Sequence, residues 1–351
     1  MTNGPHFDLW YERFSRFAAD LYPGRYTPDY VRDLVEMGRR IQCLARQKQS
    51  TIVSHNYQYP ELQEMAEMVG DSLGLSQYVA QHPTPRVDFC GVQFMGETAK
   101  TILGDATRVY MPDRPGCSLV ASINQLWIDH WMARHPEGIL ISYINTDAGT
   151  KAKSHYICTS RNAAQVMAHA ARQYPGRRIL FLPDKYLGAV VLAQTKLDRG
   201  LVDLYDGACH VHAKIGERAL DEALDRHPEA ELLIHPECGC ASSCLARTLQ
   251  EGPLNGKSYY LSTEQMLWHA ERSLSREFIV ATEMGMVYRL RKEVPSKQFH
   301  PVSIEAVCEY MKMNTLEKLL DSFEQDRVEI TVDPDIRSKA RMAIERMLSI
   351  Q

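Results

Sequence analysis

The chain passes through one series of landmarks three times, and a series repeated over such distances restricts the fold more than any local motif does. First comes an apolar run closed by polar groups: Ser54-His55-Asn56-Tyr57, Ser142-Tyr143-Ile144-Asn145 and His235-Pro236-Glu237. A hydroxyl follows, Ser72, Ser160 or Thr263, at 17 positions beyond His55, 17 beyond Tyr143 and 28 beyond His235; the third copy therefore carries an insertion. Next comes a charge, Glu97, Lys185 or Glu283, after 25, 25 and 20 positions. A cysteine ends each copy, at Cys117, Cys209 and Cys308, after 20, 24 and 25 more. From Cys117 to Tyr143 and from Cys209 to His235 the interval is 26 both times, so the cysteines keep register.

The runs TIVSH, VDFCGVQF, GILISYIN, RRILFLPD, ELLIHPE and EFIVATEMG read as buried parallel strands. ELQEMAEMV, AAQVMAHAARQY and EQMLWHAERSL read as amphipathic helices between them. Alternation of this kind predicts α/β layers, with ligands beyond the carboxyl ends of the strands. The charges Glu97, Lys185 and Glu283 are expected at the ends of second strands, and each hydroxyl at the opening of a helix, where free N–H groups need an acceptor. The first 40 residues are aromatic but weakly periodic, and VDPDIRSKARMAIERMLSI predicts a helix behind the cap Asp333; both are expected to be packing segments. The expected organisation is an extension (1–40), three α/β repeats (41–118, 119–210 and 211–317) and a C-terminal helical segment (318–351). Three like units closing about a pseudo-threefold axis would bring the three thiols together at the centre.

Composition narrows the partners. A formal charge of −4 and a pI near 6.4 make no case for nucleic acid or a membrane surface. No apolar run approaches the roughly 18 residues of a membrane span. The opening MTNGPHFDLWYERF lacks a basic stretch followed by an apolar one, so a cytoplasmic location is expected. Nine cysteines at irregular spacings are unlike a disulfide framework and turn attention to metal or thiol chemistry.

Three thiolates leave a tetrahedral zinc ion or a 4Fe-4S cluster one ligand short, and an open position marks a catalytic centre. The repeats would surround it with His55, Tyr57, Tyr143, Asn145, His235 and Glu237, a set able to move protons and make hydrogen bonds. Helix openings at Ser72, Ser160 and Thr263 suit anionic substrates, and the same hydroxyls also serve as plain N-caps. An iron-sensing protein without turnover and a zinc hydrolase are the rival readings of this pattern.

The motifs SHNY (54–57), GDSL (71–74), GVQFMGETAK (91–100), MPDRPGCS (111–118), SYINT (142–146), TSRNA (159–163), PDKYLG (183–188), DGACHVH (206–212) and HPEC (235–238) occur in one order. From about residue 50 to its end the chain resembles the quinolinate synthase family. The resemblance implies three linked three-layer α/β/α domains around a pseudo-threefold axis, with a 4Fe-4S cluster on Cys117, Cys209 and Cys308 whose open iron acts as a Lewis acid. It implies condensation of iminoaspartate with dihydroxyacetone phosphate to quinolinate, releasing phosphate and two waters, and a functional link to an enzyme that supplies iminoaspartate. By the same resemblance His55 and Tyr57 handle the triose, Tyr143 and Asn145 contact substrate, and Glu237 beside His235 is the general base. Ser72, Ser160 and Thr263 would then receive the anionic groups. This chain departs from the family in three ways. Cys308 stands alone in AVCEYMKMNTLEKLL; HPECGCASSC adds Cys238, Cys240 and Cys244 before an insertion; and an N-terminal extension is present. The three added thiols match no strong zinc spacing and are expected to be free in a loop. Cys43, Cys90 and Cys158 are expected in the core.

Overall fold

The computed structural model describes residues 4–241 and 257–350. Strands β1 (Ser50–His55), β2 (Met68–Gly70), β3 (Arg86–Cys90) and β4 (Arg108–Tyr110) form a parallel sheet in the order β2-β1-β3-β4. The order returns in a second sheet of β5 (Ile139–Tyr143), β6 (Tyr156–Cys158), β7 (Ile179–Leu182) and β8 (Val202–Leu204). A third sheet, β9 (Glu231–Ile234), β10 (Ser258–Tyr260), β11 (Glu277–Ala281) and β12 (Gln298–Pro301), has it again. Registers correspond: Val53 lies between Phe89 and Met68, and Ile141 between Phe181 and Tyr156. Strands β1, β5, β7 and β9 are buried along their whole length, which is why they read as continuous apolar runs without alternation.

Several boundaries differ from the sequence reading. VDFCGVQF stops as a strand at Cys90, and Gln93–Leu103 is a helix, so Glu97 lies on a helix. That helix buries seven of its eleven residues, and a helix buried nearly all round has no polar face to reveal its period. ELQEMAEMV divides into a helix over Pro60–Met65 and strand β2, because Ala66 turns the backbone to an extended conformation. The N-terminal extension holds two helices, Phe7–Phe17 and Pro28–Gln47, the second running past residue 40 and begun by Thr27, whose hydroxyl accepts from Tyr30 N–H (3.3 Å). Its buried stripe is Val31, Leu34, Val35, Gly38, Ile41 and Ala45, a helical period disguised by a glycine. Gly38 sits where a Cβ would meet Pro5, Met65 and Trp10 at 2.9 to 3.1 Å, so only the smallest residue lets these elements cross. Cys90 and Cys158 are buried as expected, but Cys43 is exposed. Cys238 and Cys240 are thiols in the segment that follows β9, as expected, but both are fully buried, and Cys238 Sγ donates to Ala281 O (3.1 Å). Cys244 and the insertion lie outside the described residues.

The C-terminal segment returns to the start of the fold. Strand β13 (Glu329–Ile330) pairs antiparallel with β4, and the helix Pro334–Ser349 opens behind Asp333, which accepts from Asp335 N–H (2.9 Å). It packs on helix Ala148–Lys153 and on β6, tying the first sheet to the second. Beneath this return Arg86 lies buried, with two hydrogen bonds to Asp88 (2.7 and 2.8 Å) and its guanidinium over the rings of Tyr110 (3.9 Å) and Phe323 (4.6 Å). Arg86→Ala leaves the fully buried Asp88 charge without its partner, and is expected to lower the free energy of urea unfolding by about 3 kcal/mol. Arg86→Lys, lacking the planar fork, should restore little of that loss.

Candidate active site

Loops leaving the carboxyl ends of the strands carry the landmarks of the repeat. His55 closes β1, Tyr143 closes β5, and His235 follows β9. Ser72, Ser160 and Thr263 come after β2, β6 and β10, the second strand of each sheet. Cys117, Cys209 and Cys308 come after β4, β8 and β12, the fourth strand, and each is followed directly by a four-residue helix: Ser118–Ala121, His210–Ala213 and Glu309–Lys312. His55, Tyr57, Ser72, Cys117, Tyr143, Asn145, Ser160, Cys209, His235, Glu237, Thr263 and Cys308 all line one cavity. Of the three charged markers only Glu283 reaches it. Lys185 pairs with Asp206 (2.8 Å), and Glu97 accepts from Ala148 N–H (2.9 Å).

The hydroxyls do not cap their helices. Asp71 caps Ser72–Gln81, accepting from Gly74 N–H (2.7 Å), and Ser262 caps Thr263–Arg272 in a capping box with Gln265. Asn162 precedes Ala163–Gln173, two residues beyond Ser160. Asp71 and Ser262 thus take the capping task at two of these helices, and Ser72, Ser160 and Thr263 stand at the cavity wall. Thr263 Oγ1 accepts from Asn56 Nδ2 (2.7 Å), which lies in the first unit.

The three thiols are half-buried. Burial, and then Cys209 nearby, push the Cys117 thiol well up, and burial pushes Cys308 up to about 12. Metal coordination is the ordinary way to hold such thiols deprotonated. Glu283 Oε1 accepts from Cys308 N–H (3.2 Å) and lies 3.0 Å from Lys312 Nζ, which fixes the third cysteine loop to a buried ion pair.

His212 is the site residue that the repeat does not reveal. It is buried, stacks on His235 with ring centroids 4.9 Å apart, and its Nε2 lies 3.3 Å from the Tyr57 hydroxyl and 3.2 Å from Thr282 Oγ1. Its Nδ1 lies 3.1 Å from Glu237 Oε2, as a charge contact without an aligned hydrogen bond. The Tyr143 hydroxyl donates to the other Glu237 oxygen. Burial alone would raise the Glu237 carboxyl, but His212, His235 and Tyr143 hold it down to about 2. Burial would lower His212, yet Tyr57, Cys209 and Glu237 raise it well above the usual imidazole range. Glu237 and His212 are thus a carboxylate–imidazolium pair. Asp184, also buried, is driven to about 8 by burial and by the Glu237 charge, so of two neighbouring carboxyls one is ionised and the other protonated. His55 and His235 are held neutral: burial and the facing histidine lower His55 to about 3, and burial lowers His235 to about 4. Asn145 Oδ1 and His235 Nδ1 are buried without a hydrogen-bond partner, two polar atoms at the cavity suited to a polar ligand.

Among the described residues two groups bring three donor atoms within 4.8 Å of one another: Cys209, His212 and Glu237, and His227, Glu277 and His300. In the second group the imidazoles are stacked at 3.8 Å and 16°, so their in-plane lone pairs run side by side and do not converge on one ion. Glu277 Oε1 instead joins both rings, at 2.8 and 3.0 Å, as a hydrogen-bonded bridge. Cys117, Cys209 and Cys308 form no such close group, although they share one cavity.

The family model described as quinolinate synthetase A protein matches residues 39–349. The chain belongs to the quinolinate synthase family. A quinolinate synthase of Pyrobaculum aerophilum is 43% identical over 305 residues, covering 87% of this chain and 96% of that protein. One from Thermus thermophilus is 42% identical over 315 residues, covering 90% and 97%, and one from Mycolicibacterium paratuberculosis is 41% identical over 310 residues, covering 88% and 87%. Membership makes the chain an enzyme, and no helix among the described residues is long and apolar enough to cross a membrane.

The two neutral histidines give stability a definite pH dependence. Unfolded imidazoles titrate near 6.5, whereas the folded chain keeps His55 and His235 neutral down to about 3 and 4. Below pH 6.5 the unfolded chain binds protons that the folded chain refuses, so stability falls as pH drops from about 6.5 toward 4. Each histidine should remove about 1–2 kcal/mol between pH 7 and pH 5 in urea unfolding. His235→Gln is expected to flatten that slope, and an unchanged slope would mean that His235 is already charged in the folded protein.

Proposed function

We propose that this enzyme condenses iminoaspartate with dihydroxyacetone phosphate to quinolinate, releasing phosphate and two waters, as a cytoplasmic step of de novo NAD biosynthesis. Cys117, Cys209 and Cys308 would hold a 4Fe-4S cluster, with the three sheets disposed about a pseudo-threefold axis as repeats 41–118, 119–210 and 211–317. One observation carries the reading: the corresponding cysteine of every repeat, at the exit of the fourth strand, lines the same cavity as the acid–base groups. The identical strand order of the three sheets supports the axis.

The donor set fits a cluster better than a single ion. Zinc–sulfur bonds of about 2.3 Å put tetrahedral thiolates about 3.8 Å apart. The three cysteines are not among the groups whose donor atoms lie within 4.8 Å of each other. A wider centre suits them, which argues against the zinc hydrolase. The bound cluster supplies a Lewis-acidic iron with an open position for substrate oxygen or nitrogen. An iron sensor, in turn, has no use for a carboxylate–imidazolium pair and two neutral histidines along the cavity wall.

The remaining roles belong to side chains. Both substrates are anions, and the helices beginning at Ser72, beyond Ser160 and at Thr263 turn N–H groups and positive ends toward the cavity. His55 and Tyr57 bind the triose; Tyr57 stays a neutral phenol because burial raises it, and its hydroxyl is oriented by Thr282 (2.7 Å). Tyr143 and Asn145 orient the iminoaspartate-derived part. Glu237 is the general base, and the His212 imidazolium beside it, with His235 stacked behind, balances the carboxylate charge until Glu237 takes a proton. As resting Glu237 is held near 2, it gains basicity when substrate takes over the Tyr143 hydroxyl. The source of iminoaspartate is a partner enzyme that forms it, since free imines hydrolyse in water.

Anaerobically prepared protein is expected to be brown, with about four irons and four sulfides per chain. Cys209→Ala should lose both, together with quinolinate formation, while its far-ultraviolet circular dichroism stays that of the parent; retained iron and turnover would remove Cys209 from the ligand set. Glu237→Gln should keep the iron and slow quinolinate formation by about 100-fold or more. A near-normal rate would take the base role away from Glu237.

A further inference from the structure

The residue directly after each cysteine is polar, and the three meet. Ser118 follows Cys117, His210 follows Cys209, and Glu309 follows Cys308. His210 Nδ1 lies 2.8 Å from Ser118 Oγ, its backbone N–H donates to the same oxygen (3.3 Å), and its Nε2 lies 2.7 Å from Glu309 Oε2. One imidazole therefore joins loops that leave three different sheets, at the position beside each thiol. The ring stands edge-on to Tyr310, with centroids 5.7 Å apart at 89°, and Tyr310 in turn covers Gly116, where an added Cβ would lie 3.5 Å from the tyrosine ring. Side-chain exposure runs 32% for His210 and 69% for Glu309, against 3% for both His212 and Glu237, so this bridge borders solvent while the acid–base groups lie inside.

We infer that Ser118, His210 and Glu309 form a strap that holds the three cysteine loops together on the solvent side of the metal centre and slows the escape of its iron. The inference rests on the cluster reading above. An exposed His–Glu pair contributes little to global stability. Its effect here is local. A centre held by three single-sulfur ligands from three separate loops first loses iron when one loop swings away, and the strap makes each loop's departure break a hydrogen bond to its neighbours. His210 is thus a positioning residue. Each end of the bridge can be replaced: a glutamine at 210 has a carbonyl to accept from Ser118 and an amide to donate to Glu309, whereas alanine has neither.

The test is iron release from the anaerobic holoenzyme to an excess of a ferrous chelator, followed by loss of the cluster's visible absorbance. His210→Ala is expected to release iron at least about fivefold faster than the parent, with Ser118→Ala close behind and His210→Gln largely restored. Circular dichroism and thermal melting of each variant report whether the fold is kept, and Ser118→Ala, a change of one oxygen, serves if His210→Ala fails to fold. Release at the parental rate in both alanine variants would overturn the strap, as would equal release from His210→Gln and His210→Ala. A parent protein that binds no iron at all would overturn the cluster reading itself and the strap with it, which separates the two failures.

Discussion

A parallel strand can be followed by another only after the chain has crossed back over the sheet, so all strand exits of a parallel sheet open on one edge. Everything in this protein depends on that constraint. Three sheets with one strand order place their first exits at His55, Tyr143 and His235, their second exits near Ser72, Ser160 and Thr263, and their fourth exits at the loops of Cys117, Cys209 and Cys308. Because these edges share one cavity, residues more than 200 positions apart in the chain become neighbours without any local motif. The return of the C-terminal segment to β4, anchored over Arg86, and its final helix on the second unit hold the edges in place.

A cavity built from buried strand ends takes its polar groups out of water, and their charges must then be settled among themselves. Desolvation is the largest influence on His55, Tyr57, Tyr143, His212, His235 and Glu237 alike, yet the outcomes diverge. Glu237 and His212 keep opposite charges because each is the other's partner. His55, His235 and Asp184 give up theirs because no partner compensates for burial. A single site thereby contains a carboxylate, an imidazolium, neutral imidazoles and neutral phenols at one pH, the mixture that the proposed acid–base chemistry uses.

What the sequence made legible was the part that repeats. Twelve residues read from the landmark series lie around one cavity, since strand exits recur in one order whenever strand order recurs. What it hid was the part that does not repeat. His212 lies three residues after Cys209, and the corresponding positions after Cys117 and Cys308 are Val120 and Met311, so internal comparison gave it no support. The helix over Gln93–Leu103 reads as a strand end because it is buried nearly all round, and the seam of Pro28–Gln47 is hidden because Gly38 occupies it. The hydroxyls read as caps, a task that falls instead to Asp71 and Ser262 in the first and third units, while the helix behind Asn162 has no side-chain cap. Ser118, His210 and Glu309 could have been found: a polar residue after every cysteine is a repeat signal in its own right.

Symmetry and chemistry make opposite demands on such a site, and the structure divides them by depth. Binding a metal centre with three single-sulfur ligands profits from equivalence, and the three cysteines are the most alike of the landmarks, each on an extended residue ahead of a four-residue helix. Condensing two different substrates needs inequivalence. The first-strand exits accordingly hold a histidine, a tyrosine and a histidine backed by Glu237, and only one unit supplies His212. The third cysteine loop is anchored by a buried pair, Glu283 with Lys312, and the same lysine donates to the Tyr57 backbone carbonyl of the first unit. On the proposed function, the units thus differ most where substrate would be told from substrate, and least at the positions where three loops would act as one ligand.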